Sequence, residues 1–282
     1  MKYNVPVKDL IKSRHSCRTY DINPIDREVR EQLYKEFEAV IPGFAGETIH
    51  FQLVEATEAM LLDSKVLEYG MIHNARAFLV GKISNSQMVY ESYGYIMEHM
   101  VLKATELGLG SCWVGYFNLD FFQRTEGFDL GKDEIIPAII VLGNIAGRRS
   151  LTDKIVRFVI RASKRKEWKK IFFNGNFETP LNQEEAGKFA EPLEMMRLAP
   201  SSGNSQPWLV VKEKDHDIFH FYMKVVNKIY HQRHLHNIDM GIGMSHFELS
   251  LRENNINSGK WERMEKTPVP APEGIQYICS FR

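Results

Sequence analysis

Arg14, Ser16 and Arg18 set two guanidinium groups and a hydroxyl in one short segment, Arg14-His15-Ser16-Cys17-Arg18. Guanidinium is planar, permanently charged and suited to bidentate recognition of phosphate, so this spacing could anchor a dianion. Taken alone, the same pattern also fits a solvated basic turn. A second segment, Ala199-Pro-Ser-Ser-Gly-Asn-Ser-Gln-Pro-Trp208, is more specific. Its small residues let backbone approach a planar ligand closely, and Asn204 and Gln206 offer carboxamides to polar ring atoms. Pro207 fixes the exit from the segment. The plainer reading is a turn that leads into a strand. A third stretch, Glu106-Leu-Gly-Leu-Gly-Ser-Cys-Trp-Val-Gly-Tyr-Phe117, reads as a helix end capped at Gly108 or Gly110 and followed by an apolar strand. A fourth, Gly143-Asn-Ile-Ala-Gly-Arg-Arg149, follows an apolar run and ends on two cations.

Other clusters carry less. The basic run from Arg148 to Lys170 could suggest a nucleic-acid helix, but Ile155, Phe158, Val159 and Ala162 recur at helical spacing, which makes it an amphipathic surface helix. His231, His234 and His236 lie close together, yet no Cys or carboxylate completes a metal pattern around them. Cys112, beside Trp113 in an apolar turn, reads as a packed small residue. Cys17, Cys112 and Cys279 form no Cys-x-x-Cys pair, which fits a reducing compartment and disfavours disulfides or zinc.

The elements that must position these groups alternate along the chain. Arg27 to Val40 reads as a helix, Arg76 to Ile83 as a strand, Ile135 to Leu142 as one buried strand ending at Gly143, and Ile218 to Tyr222 as another strand. Two stretches repeat weakly in the same order. Glu47–Val54 aligns with Asn204–Val211 as a turn entering a strand, and Tyr93–Leu109 aligns with Met240–Ile256 as a half-buried helix. Met97, Val101, Ala104 and Leu107 form the apolar face of the first helix, and Met244, Phe247, Leu251 and Asn254 occupy that face in the second. Interleaved helices and strands in both halves predict an α+β or α/β sandwich with helices covering central sheets. With 282 residues, 44% of them hydrophobic, the chain can bury a substantial core. Its 36 basic and 36 acidic residues cancel, so nothing in the overall charge favours nucleic acid or membranes. The N-terminus has no apolar stretch that could serve as a secretory signal, and no run is long enough to span a membrane; a cytoplasmic protein with small-molecule partners is expected.

Together the four segments resemble the flavin-holding motifs of the nitroreductase family. Ser13-Arg-His-Ser-Cys-Arg-Thr-Tyr20 is similar to the family's Arg-Arg-Ser-x-Arg-x-Phe opening, and residues 200–208 resemble its proline-serine motif. The resemblance implies FMN as cofactor and NADH or NADPH as reductant. Arg14, His15 and Ser16 would hold phosphate or ribityl oxygens, with Arg18 near the pyrimidine edge. Trp113, Val114, Gly115 and Tyr116 would offer backbone N–H groups to the ring. Arg148 or Arg149 would reach the phosphate, and Pro200, Ser201, Ser202, Asn204 and Gln206 would meet the pyrimidine. The implied reaction is hydride transfer at the flavin, then electron transfer to a nitroaromatic, a quinone or a similar small acceptor, with no catalytic side chain required. Related flavoproteins that dehalogenate substrates or degrade flavin, and a non-catalytic FMN-binding protein, are the alternatives.

In ordinary members the two flavin motifs lie a few tens of residues apart, and a flavin at the dimer interface takes one from each subunit. Here they fall in different halves of one chain. Residues 42–51 lack the Ser-Ser, Asn and Gln, and residues 182–188 lack the Arg-x-Ser-x-Arg. This implies a dimer fused into an internally duplicated pseudo-dimer with halves at 1–170 and 171–282 and central antiparallel or mixed sheets. Such a chain is expected to be a monomer with one working FMN site.

Overall fold

The computed structural model describes residues 1–39, 41–44, 46–56, 72–84, 86, 88–125, 127–147, 150–256 and 259–282, the side chains of 151 and 152 excepted. The chain divides into two compact units, Met1–Ala162 and Ser163–Arg282. The division falls upstream of residue 170 because Lys164 to Lys166 are bonded to the 198–206 segment, through contacts such as Lys166 N donating to Gln206 Oε1 at 2.7 Å.

The first unit contains α1 (Val7–Ser13), α2 (Arg27–Phe37), β1 (Ile49–Glu55), β2 (Ala77–Ser84), α3 (Val89–Glu106), β3 (Leu109–Val114), α4 (Leu119–Gln123), β4 (Glu134–Ile135), β5 (Ile139–Asn144) and α5 (Leu151–Val159). Its five-stranded sheet runs β1-β2-β5-β3, with β4 paired to the end of β2, and every pairing is antiparallel. The two interior strands are the most apolar. Phe78, Leu79 and Val80 of β2 and Ile139 to Leu142 of β5 are buried on both faces of the sheet. Helix α3 is buried around most of its circumference, including Met97, Val101 and Ala104 together with the polar Glu98, His99 and Lys103.

Two expectations are corrected in this unit. The single strand predicted for Ile135–Leu142 is two pieces, β4 and β5, since Pro137 lies between them and has no N–H to give to a ladder. The helix predicted to Val40 ends at Phe37. Helix α5 also turns its faces in an unexpected sense. Ile155, Phe158 and Val159 are exposed, while Asp153 is buried, with its Oδ1 3.6 Å from Arg18 Nη1.

The second unit contains β6 (Phe172–Asn174), α6 (Gln183–Ala186), α7 (Ala190–Leu198), β7 (Trp208–Lys212), β8 (Phe219–Lys224), α8 (Lys228–Gln232), α9 (Leu235–Glu253), β9 (Trp261–Glu262) and β10 (Ile275–Phe281). Its sheet runs β6-β7-β8-β10-β9, in which β6 and β7 are parallel and the other pairs antiparallel. Met244, Phe247 and Leu251 of α9 are buried, and Gly243 brings α9 close to Met196 of α7. Both units are therefore sheets flanked by helices, in an α+β arrangement.

Candidate functional site

The arginine segment leaves α1 at Arg14 and runs on extended. Cys17 N donates to Ser111 O of β3 at 2.8 Å, and Tyr20 N donates to His73 O at 3.0 Å. The Tyr20 hydroxyl lies within hydrogen-bond reach of Cys17 O (2.8 Å) and of Val141 O in β5 (3.1 Å). Two glycines permit this approach. A methyl on Gly110 would lie 2.9 Å from Cys17 Cβ, and one on Gly143 would lie 2.8 Å from the Tyr20 ring. Gly108, with φ of +78°, supplies the left-handed residue after α3, so the helix cap falls to Gly108 while Gly110 serves close packing. Three of the sequence segments, at 14–20, 108–116 and 143–145, thus meet within the first unit.

Around them the charges are unevenly matched. Arg14 is half-buried, and its buried Nε has no hydrogen-bond partner among the described residues. Burial pulls its pKa down, Glu98 and Cys112 oppose that, and Arg157 and Arg18 add to it. Arg157 Nη1 donates to Ser16 O at 3.5 Å, which brings a third guanidinium to the segment. Arg18 Nη1 lies 3.6 Å from Asp153 Oδ1. Asp153 is held in turn at the start of α5, where its N–H donates to Ser150 Oγ at 3.1 Å, and Ser150 N donates to Thr19 Oγ1 at the same distance. A cluster of partly buried cations with an orphaned donor suits an anion with several oxygens, and a phosphate fits it. His15 Nδ1 lies 3.3 Å from Ser13 O, a local contact.

On the other side of Arg14, Trp113 Nε1 donates to the buried Glu98 Oε2 at 2.8 Å. Val114 is buried, and Gly115 and Tyr116 form the turn after β3. The Cys112 thiol is buried and its pKa is raised by burial, the behaviour of a packed small residue. Arg148 and Arg149 lie outside the described residues. Sequence reasoning missed Glu98, Asp153 and Arg157. The last two belong to the basic run taken as a surface helix, and only its folding back onto Ser16 and Arg18 gives them a role.

In the second unit the proline-serine segment is a short turn between α7 and β7. Gly203, Asn204 and Gln206 all take left-handed backbone, with φ of +56°, +56° and +48°. For non-glycine residues this conformation costs on the order of 1–2 kcal/mol each and persists only where surrounding contacts impose it. Those contacts are present. Gln206 N donates to Ser201 Oγ at 2.8 Å, Ser202 N and Oγ lie 2.9 and 3.1 Å from Asp239 Oδ1, and Pro207 O accepts from Lys224 N at 2.8 Å. Pro200 leads into the turn and Trp208 is fully buried after it. The carboxamides of Asn204 and Gln206 bond to the chain just after the unit begins: Asn204 Nδ2 and Gln206 Nε2 donate to Lys164 O at 3.0 and 3.3 Å, and Arg165 Nη1 donates to Asn204 Oδ1 at 3.3 Å.

Of the three histidines, His236 is buried, and burial together with His231 and Lys166 pushes its pKa down to about 4. Among the described residues no group of three or more His, Cys, Asp or Glu is arranged to hold a metal ion, and no helix is long and apolar enough to cross a membrane.

Comparison with known proteins agrees with this architecture. No curated protein matches the chain. A crystal structure described as a putative nitroreductase of Thermotoga maritima is 17% identical, covers 100% of this chain and 94% of its own, and superposes with a TM-score of 0.61, which shows a shared fold. A Bacteroides thetaiotaomicron structure, described as a putative NADH dehydrogenase/NAD(P)H nitroreductase, is 21% identical over 60% of this chain and 96% of its own, with a TM-score of 0.44. A Bacteroides fragilis nitroreductase with bound FMN is 19% identical over 52% of this chain and 92% of its own, with a TM-score of 0.41. The family model described as "Putative TM nitroreductase" matches residues 6–251, which include both candidate segments, and the chain belongs to that nitroreductase family.

Proposed function

We propose that this protein is an FMN-dependent oxidoreductase, reduced by NADH or NADPH and reoxidised by a small acceptor such as a nitroaromatic or a quinone. The observation that carries the reading is the Nε of the half-buried Arg14, a buried atom with no hydrogen-bond partner among the described residues, in a cluster with Arg18 and Arg157. Three arginines against Glu98 and Asp153 leave positive charge unmatched, and the FMN phosphate is the anion that the family membership suggests for it. FMN, when bound, supplies a ring that accepts hydride. The protein's own task is to anchor, orient and tune it.

Arg14, Ser16 and Arg157 are assigned to the phosphate end. Arg18, restrained by Asp153, is assigned to the pyrimidine edge, together with Pro200, Ser201, Ser202, Asn204 and Gln206. Trp113 to Tyr116 are assigned to the ring through their backbone, with Trp113 steadied by Glu98. Asn204 and Gln206 would have to exchange their bonds to residues 164–166 to pair with a ligand through their side chains. In the chain as described they serve the turn.

Titration of the protein with FMN tests the assignment. A charge-assisted bond is worth on the order of 1.5–3 kcal/mol, so Arg14→Ala is expected to weaken FMN binding by roughly ten- to a hundredfold. Arg18→Ala should move the flavin reduction potential more than the affinity. If both variants keep wild-type affinity and potential, the segment is a structural turn and the assignment fails. Steady-state oxidation of NADH and NADPH with a quinone then separates an enzyme from a flavin carrier.

A further inference from the structure

Asp239 lies in the first half of α9 and is almost wholly buried. Its two oxygens are spent on the proline-serine turn: Oδ1 accepts from Ser202 N at 2.9 Å and from Ser202 Oγ at 3.1 Å, and Oδ2 lies 3.4 Å from Ser205 Oγ. The segment it grips contains Gly203, Asn204 and Gln206 in left-handed backbone, a conformation with no regular ladder to sustain it. Within the turn itself, Gln206 N bonds to Ser201 Oγ, so the hydroxyls of Ser201, Ser202 and Ser205 are all engaged in holding the turn.

We propose that Asp239 is a positioning residue for the flavin-binding turn: its buried carboxyl clamps Ser202 and Ser205 and so sets the conformation in which residues 200–206 meet the ligand. The proposal rests on the functional reading above as far as the ligand is concerned. The clamp itself rests on contacts within the second unit. A structural aspartate could have capped a helix or paired with a cation at the surface. This one is buried instead on a strained ligand-binding segment, where burying a carboxyl costs most.

No charged side chain contributes to its titration. Burial raises the pKa to about 7, and the three serine contacts oppose that. Of the titratable groups nearby, His236 is one turn earlier on the same helix, and the turn itself carries none. The charged residues of the packed α7 are engaged elsewhere, Arg197 with Glu194 and Glu191 with Asn254. The carboxyl can serve the clamp in either protonation state. Ionised, it accepts from all three donors. Protonated on Oδ2, it still accepts from Ser202 through Oδ1 and donates to Ser205 Oγ. Loss of the proton leaves a buried charge with no cation to match it, which favours opening of the turn.

The test uses the full chain with Asp239→Leu and Asp239→Asn, hydrogen exchange over residues 200–208 without flavin, and FMN titration on either side of neutral pH. Asp239→Leu is expected to lose about tenfold or more in exchange protection of the turn and in FMN affinity, as expected when a buried hydrogen-bonding group is removed. Asp239→Asn, which keeps an acceptor for Ser202 and a polar partner for Ser205, should restore both. Wild-type protection at the Ser202 amide, corrected for intrinsic exchange, should fall as the pH rises through about 7, because opening of the turn releases a carboxyl that holds its proton more tightly when buried. In Asp239→Asn it should stay flat. Wild-type protection and affinity in Asp239→Leu, or an unaltered pH profile in Asp239→Asn, would overturn the proposal. If Asp239→Leu does not fold, the Asn variant and its pH profile decide. If the wild-type protein binds no FMN, the functional reading falls, while the exchange data still decide whether Asp239 sets the turn.

Discussion

At Asp239 the demands of local geometry and of stability oppose one another. The carboxyl titrates at about 7 in the fold against 3.8 without burial, so the folded state binds its proton more tightly than the unfolded chain. Its contribution to stability is therefore full below about pH 4 and is lost as the pH rises, completely above about 7. The loss amounts to up to about 4 kcal/mol. Asp239→Asn should consequently be more stable than wild type at pH 8 and no more stable at pH 4, as read by denaturant unfolding. An equal difference at both values would show that the carboxyl is not the titrating group. At this scale the sequence showed some residues and hid others. Arg14, Ser16 and Arg18 were visible because they are adjacent in the chain. Asp153, Arg157 and Glu98 were not, because each reaches the arginine segment from a helix remote in sequence, and a charge on a helix carries no mark of which way it will face.

Among the elements, the glycines next to the strands do the most to place the arginine segment. Gly143 lies against the Tyr20 ring and Gly110 against Cys17. Gly143→Ala should force Tyr20 outward, at a typical overpacking cost of about 1–3 kcal/mol, and FMN affinity should fall along with the melting temperature. Gly108 makes the comparison sharp, since a methyl there meets nothing within 4 Å and only its φ of +78° is strained. Gly108→Ala should lower the melting temperature and leave FMN affinity unchanged, a difference that calorimetry with flavin titration would reveal. Most strands and the two long helices were legible from apolar runs and periodicity, but the helices expected at 93–109 and 240–256 as half-buried lie at 89–106 and 235–253 and are buried around most of their circumference. The break at Pro137 was a local signal overridden by the apolar residues on either side of it. The facing of α5 was not legible, because its apolar spacing predicts that Ile155, Phe158 and Val159 are covered, whereas they are exposed and Asp153 is buried.

For the molecule as a whole, the division of the two motifs governs stoichiometry. The unit Met1–Ala162 carries the arginine segment and the unit Ser163–Arg282 the proline-serine turn, and neither carries both. One FMN per chain is therefore expected from flavin and phosphate analysis of denatured protein, and two tightly bound flavins would contradict the fused-dimer reading. By the same reading the protein is expected to be a monomer whose bound flavin survives dilution, which light scattering and flavin fluorescence would measure. The sequence alone suggested two halves, but only the contacts of Arg165 and Lys166 show to which compact unit the segment between them is fastened. Those contacts also govern how the chain can be cut. A fragment beginning at residue 171 would lose the bonds that Lys164, Arg165 and Lys166 make to the Asn204 and Gln206 carboxamides and to the Leu198 carbonyl. One beginning at residue 163 would keep them, so protein engineers who recombine halves from different relatives should join them before Ser163, leaving Lys164 to Lys166 with the turn they brace.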